Sequence, residues 1–187
     1  MCGAYFVILL ASARPYRFCM ALVRILVDGY SLLHEWMDLA EGQPRHSAAA
    51  RDALVQILTH YQDAIGTPIT IFFDGGGAPV NTPKTHSTRQ LEVLYSRNGQ
   101  TADDMIERAA YRFQDYGEVL AVTNDSAERN IVIHMGGMAE SCGNFIRTVE
   151  ATLAGMADDV DRHNRQEQVR YRASRPARVR GRSGRKP

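Results

Sequence analysis

The sequence predicts an α/β chain, a three-layer α/β/α sandwich with a central parallel sheet. Three observations predict it. Five short apolar runs recur along the chain, at Val23–Val27, Ile69–Phe73, Leu91–Tyr95, Val119–Val122 and, more weakly, Met138–Ser141. Most are continuously apolar, as strands are when both faces of a parallel sheet are covered. Segments of helical periodicity lie between most of them, an alternation that places helices on both faces of one sheet. The 187 residues hold one such domain and a tail. With 44% apolar and 23% charged residues the composition is globular, which excludes a wholly disordered chain.

The first strand, Val23–Val27, follows Met20, which reads as the natural start; residues 1–19 read as a non-native or disordered N-terminal extension. Their apolar run, Ala4–Ser12, is far short of the roughly 20 residues of a membrane span. It also lacks the basic n-region of a signal peptide. The first helix is expected over Ser47–Ile65, with Ala50, Leu54, Ile57, Leu58 and Tyr61 at helical spacing, Ser47 as N-cap and Gly66 past the last turn. After the second strand come Asp74 and Gly75–Gly77. No GK[ST] follows these glycines, so they are not a Walker A loop. They open a long connection to Arg89 that carries Lys84 and His86.

After the third strand, Ala102–Tyr116 presents Met105, Ile106, Ala109, Ala110 and Phe113 on one side of a helix, with Gly117 ending it. A shorter helix is expected over Ser126–Met135, ending at Gly136-Gly137, and a last one over Asn144–Met156. The domain therefore spans 20–158. Trp36, Tyr30 and Phe72 are expected in core or rim packing.

Residues 159–187 read as an Arg-rich, basic, disordered tail. Residues 1–160 hold 12 basic and 19 acidic side chains, whereas 161–187 hold 10 basic and 2 acidic, nine of the ten being arginine. Low hydrophobicity with high net charge argues disorder. Planar, bidentate guanidinium groups suit phosphate, so Arg170 and Arg172 are expected along an RNA backbone; a solvated tail that aids solubility is the alternative. Cys2, Cys19 and Cys142 have no paired spacing. A disulfide framework and a zinc knuckle are disfavoured, and a reducing, cytoplasmic compartment is expected. Cys142 reads as a small residue at a helix entrance.

Ligands of an open parallel sheet bind outside the carboxyl ends of its strands. Asp28 follows the first strand, Asp74 the second, Asp103 and Asp104 the third at a helix start, and Thr123-Asn124-Asp125 the fourth. Four strand ends thus bring carboxylates to one rim. Such groups raise one another's pKa and destabilise the fold unless a cation joins them. Mg²⁺ or Mn²⁺ takes oxygen ligands and activates water against a phosphodiester. Each residue also has a structural alternative: Asp28 and Asp74 as turn formers, Asp103 and Asp104 as complements to a helix dipole, Asp125 as a cap.

At this point the motifs match a family. The stretch Ile25–His34, ILVDGYSLLH, resembles the opening of the YacP-like NYN domains, whose usual form is a strand followed by DGYNLIH. FFDG at Phe72–Gly75, TADDMIE at Thr101–Glu107 (family form TADxxIE) and VTND at Val122–Asp125 (family form VTSD) occur in the family's order. The resemblance covers about residues 23–155. It implies a PIN-like nuclease fold and metal-dependent endoribonuclease activity, with some relatives acting on messenger RNA at the ribosome. Carried across by position, Asp28, Asp103 and Asp125 become the metal-holding acids. Asp74 and Asp104 support them, Glu107 lies one turn after Asp103, and Thr101 and Thr123 orient the loops. Asn124 and Ser31 then face substrate, and Ser31 stands where the family has Asn. The expected partner is single-stranded or messenger RNA, with the ribosome as a further partner and no membrane. The alternative is a catalytically weak RNA- or ribosome-binding protein using the same fold and tail.

Overall fold

Strand β1 (Leu22–Asp28) alternates its side chains between two hydrophobic layers. Ile25 and Val27 enter one core cluster and Leu26 the other. Strand β2 (Ile69–Phe73) is buried at every residue, with Ile69, Ile71 and Phe73 in the first layer and Phe72 in the second. This is the period-2 partition of a sheet covered on both faces. The structure is a computed structural model, and it describes residues 21–75, 88, 90–97 and 99–174, with the side chains of 172–174 outside that description. The expectations for residues 1–19, for Lys84, His86 and Arg89, and for 175–187 lie outside the described residues.

Strands β3 (Leu91–Tyr95), β4 (Glu118–Val122) and β5 (Met138–Glu140) complete a five-stranded sheet of order β3-β2-β1-β4-β5. Every pair is parallel, with Ile25 opposite both Ile69 and Leu120 at the centre. The chain moves outward from β1 to β2 and β3, then crosses back to β4. Strand order therefore reverses between β1 and β4, and the crevice at their carboxyl ends is the topological switch point.

Five helices connect and cover the sheet: α1 (Gly29–Glu35), α2 (Ala48–Ile65), α3 (Ala102–Phe113), α4 (Ser126–His134) and α5 (Cys142–Ser174). One face is buried by Leu32 and Leu33 of α1, Leu54 and Leu58 of α2, and Phe145 and Val149 of α5. The other is buried by Ala102, Ile106 and Ala110 of α3 and Val132 of α4. This is the expected three-layer sandwich. The two faces are covered unequally. Helix α3 packs on β1, β2 and β4, so Glu92 and Leu94 of the edge strand β3 stay half-buried.

Local chemistry explains the boundaries. The Ser47 Oγ accepts the Ala50 N–H at 3.1 Å and caps α2, and Gly66 ends it in the left-handed region at φ 71°. Gly29 starts α1 where a Cβ would lie 2.3 Å from Phe73 Cε1, closer than any side chain tolerates. Tyr30 packs edge-on against the same Phe73 ring at 5.1 Å, Phe72 is buried and Trp36 nearly so.

Three differences from the sequence reading stand out. Helix α1 was not anticipated, because seven residues opening on Gly-Tyr are too few to display a period. Helix α3 ends at Phe113, three residues before Tyr116. Helix α5 neither starts at Asn144 nor stops at Met156: it runs from Cys142 to Ser174, so residues 159–174 of the expected disordered tail are helical. Its first turns are packed, so the extension needs no costly nucleus. Ala, Gln, Glu and Arg sustain it, with ion pairs Asp159–Arg162 at 3.2 Å and Glu167–Arg170 at 2.8 Å. Among the described residues, no helix is long and apolar enough to cross a membrane.

Candidate active site

The acidic rim is assembled by helix starts. Asp28 ends β1 and caps α1: its Oδ1 accepts the N–H groups of Tyr30 and Ser31, each at 3.1 Å, and its Oδ2 accepts the Ser31 hydroxyl at 2.6 Å. Ser31 therefore holds the Asp28 carboxylate in one orientation. Asp74, at the end of β2, accepts the Ala102 N–H at 2.6 Å and the Ser96 hydroxyl at 3.4 Å. It pins the start of α3 to the sheet. Thr101 and Asp104 form a capping box there, each accepting the other's backbone N–H at 3.1 Å. Asp103, between them, is left free to face the crevice.

On the other side of the switch point, Asp125 caps α4. Its Oδ1 accepts the Ala127 N–H at 2.7 Å and the Glu128 N–H at 3.4 Å, while its own N–H donates to the Thr123 hydroxyl at 3.1 Å. Asn124 uses both ends of its amide within the fold, donating to Glu35 Oε2 at 3.2 Å and accepting the Cys142 N–H at 3.0 Å. Cys142 is fully buried, and burial pushes its thiol up to about 12, which fits a structural residue rather than a nucleophile.

The residue that sequence reasoning missed is Glu128. Asp28, Asp103 and Glu128 each offer a carboxylate oxygen, and these oxygens lie within 4.8 Å of one another. Glu128 is 4% exposed, and both its carboxyl oxygens are buried with no hydrogen-bond partner among the described residues. Burial first, then the charges of Asp103, Asp28 and Asp125, push it up to about 7; the nearby Thr123 hydroxyl pulls the other way. Thr123 makes no hydrogen bond of ordinary geometry to either oxygen. Asp103 is also raised, by burial and then by Asp28, Asp125, Asp74 and Asp104.

Two unpaired buried oxygens and three converging acids are unstable as they stand. A pair of full charges at that separation repels by about 3 kcal/mol at an effective dielectric of about 20. A hard divalent cation resolves both features, since it takes oxygen donors and needs no histidine or cysteine. The donor set fits Mg²⁺ or Mn²⁺.

Of the expected metal ligands, the structure brings Asp28 and Asp103 together. Asp125, Asp74 and Asp104 surround them closely enough to act on Asp103, but their described hydrogen bonds hold helix starts. Glu107 is exposed beside Asp104 and Arg108, outside the acidic group. Arg170 pairs with Glu167 far along α5. At 1.5 Å per residue it lies about 40 Å from Cys142 at the rim. The Arg172 side chain lies outside the description. A signal for Glu128 existed: it sits three residues after Asp125. Its type and place are also those of an ordinary first-turn acid, which complements the helix dipole.

A profile of YacP-like NYN domains matches residues 25–179. The chain belongs to the YacP-like NYN domain family. The match reaches past residue 155 and takes in the whole of α5, so the arginine-bearing helix lies inside the family's region rather than beyond it. The fold of this family is nuclease-like. The chain is similar to the uncharacterized protein YacP of Bacillus subtilis (strain 168), at 27% identity over 127 residues, 67% of this chain and 74% of that protein. It also resembles two crystal structures of Rae1 (YacP) from Bacillus subtilis. One is of a point mutant, with a TM-score of 0.65 and 24% identity over 76% of this chain and 84% of that one. The other has a TM-score of 0.65 and 23% identity over 82% and 87%. These likenesses establish the NYN fold.

Proposed function

We propose that this NYN protein is a metal-dependent endoribonuclease whose ion is held by Asp28, Asp103 and Glu128. The observation that carries the reading is the meeting of these three carboxylates at the switch point, with both Glu128 oxygens buried and without a hydrogen-bond partner among the described residues. Mg²⁺ or Mn²⁺ bound there supplies positive charge that acidifies water and offsets charge on the leaving oxygen of a phosphodiester. The chain's own residues set the geometry. Ser31 and two backbone N–H groups fix Asp28. Asp74 and the Thr101–Asp104 box fix the first turn of α3, and with it Asp103. Asp125 fixes the first turn of α4 and so aims Glu128 inward. Hydrolysis joins the oxygen of water to phosphorus as one bond from phosphorus to a ribose oxygen breaks, and that departing oxygen takes up a proton.

The substrate in this reading is single-stranded RNA, including messenger RNA on the ribosome, as the family resemblance implies, in a cytoplasmic setting. Helix α5 then serves as an arm. Arg165, Arg170 and Arg172 contact phosphates well away from the reacting bond and add affinity without reading sequence.

The test is cleavage of end-labelled RNA and of translating ribosomes with Mn²⁺, Mg²⁺ or EDTA. Asp103→Asn and Glu128→Gln are each expected to lower cleavage roughly 100-fold or more, the scale of losing several kcal/mol of charge stabilisation. Both are expected to weaken Mn²⁺ binding measured by calorimetry while leaving the circular dichroism spectrum intact. Full cleavage by Asp103→Asn in a clean preparation would overturn the reading.

A further inference from the structure

Helix α3 packs mainly on β1, β2 and β4, and the strip between it and the edge strand β3 is a groove. Two adjoining cavities of about 340 and 550 Å³ run along it and share Leu94, Gln100, Met105 and Arg108. Its walls are apolar, from Leu94 of β3 and Met105 and Phe113 of α3. Its cations are Arg97, Arg108 and Arg112, all exposed and without an ion pair among the described residues. The acid lining the groove, Glu92, is already met by Arg24 at 3.8 Å, and Arg24 also donates to Thr70 at 2.7 Å and lies 5.0 Å over the Phe113 ring.

This concentration runs against the charge of the body. Residues 1–160 hold 19 acids and only 12 bases, yet three of those bases gather on one apolar strip with no ion pair among the described residues. The groove also has a defined relation to the acidic site, because both use α3. Asp103 stands in the first turn; Arg108 and Arg112 follow about 7.5 and 13.5 Å along the same axis. Turned about 140° and 180° around that axis from Asp103, the two positive charges stand on the β3 side of α3, about 6 Å apart along it, a step on the scale of successive nucleotides.

We propose that this groove carries the single-stranded RNA flanking the cleaved bond, with phosphates on Arg97, Arg108 and Arg112 and bases against Leu94, Met105 and Phe113. The inference rests on the ribonuclease reading for the nature of the ligand. Its chemistry is that of a sequence-tolerant track: a cationic line for the backbone and apolar faces for the bases. Three exposed guanidinium groups on an acidic body match a polyanion in charge, and the apolar wall distinguishes a nucleotide chain from inorganic phosphate.

Binding in EDTA separates this from catalysis. A labelled oligoribonucleotide is titrated by anisotropy against wild type, Arg97→Ala, Arg108→Ala, Arg112→Ala and the triple variant at several salt concentrations. Each single change is expected to weaken binding a few-fold. The triple variant is expected to lose about 10-fold or more, with a salt slope smaller by about 0.7 per arginine. Lysine in the same three places restores most of the affinity. Unchanged affinity and slope in the triple variant overturn the proposal, as does wild type that fails to bind the oligonucleotide. Should the triple variant fail to fold, photo-crosslinking of a thiouridine-bearing oligonucleotide to wild type decides. Adducts within 91–97 or 105–113 support the groove, and adducts confined elsewhere, the acidic first turn of α3 included, overturn it. Groove-dependent binding by a protein that never cuts would sink the nuclease reading and leave the groove standing. Cleavage with groove-independent binding would do the reverse.

Discussion

Glu128 is an acid whose pKa is higher folded than unfolded, moving from an ordinary 4.5 to about 7. Its protonated form is the one the metal-free fold prefers. Its contribution to stability is therefore complete below about pH 4.5 and is lost as the pH rises through about 7, a swing of about 3 kcal/mol at 1.36 kcal/mol per unit. The metal-free protein is expected to melt at a lower temperature at pH 8 than at pH 5. Glu128→Gln should raise the pH 8 value and flatten the dependence; a melting curve series in EDTA checks this. Added Mn²⁺ should restore stability to wild type at pH 8, since binding to the folded state alone stabilises it. Asp103 is raised in the same direction and adds to the trend. Ser31 explains how a chain lacking the family's Asn keeps Asp28 in place: its hydroxyl reaches Oδ2 at 2.6 Å.

Among the elements, the junction of β1 and α1 is the most constrained. The chain turns from strand into helix against the face of Phe73, a ring that is itself stacked on Tyr95 at 5.5 Å. Gly29→Ala puts a methyl group 2.3 Å from Phe73 Cε1, and that ring is fully buried. The cost of such overpacking is about 1–3 kcal/mol, to be read as a lower urea midpoint. Because Asp28 caps the same helix, metal affinity should fall along with stability. Unchanged stability would mean that Phe73 has room to move. All five strands, and α2 and α4, match the expected ranges to within a residue at each end, because their apolar periods and caps are local. Helix α1 was too short to show a period.

For the whole molecule, the asymmetry of charge becomes an asymmetry of packing, with a packed acidic body and an exposed basic arm. Residues 154–171 of α5 are exposed throughout, so the arm adds little to the core. Deleting 161–187 should shift stability by no more than about 0.5 kcal/mol, the usual range for surface changes. It should lower RNA affinity in a salt-sensitive way and leave turnover measurable at high enzyme concentration. A large loss of melting temperature on deletion would show instead that the arm packs on the body.

The strand pattern, the parallel sandwich, the family and the carboxylates at the rim were legible in the chain, because each is written in a local period, a cap or a contiguous motif. Which acids meet depends on the fold as a whole. Asp28, Asp103 and Glu128 are far apart in the chain and converge because the strand order reverses between β1 and β4. Asp74, Asp104 and Asp125 look the same in sequence, but their oxygens accept backbone N–H groups at the starts of α3 and α4, the helices that carry Asp103 and Glu128. Glu128 reads as a common first-turn acid until the fold buries its oxygens, with no hydrogen-bond partner for them among the described residues. The groove was equally hidden, since an uncovered edge strand depends on where α3 crosses the sheet, which no local pattern records.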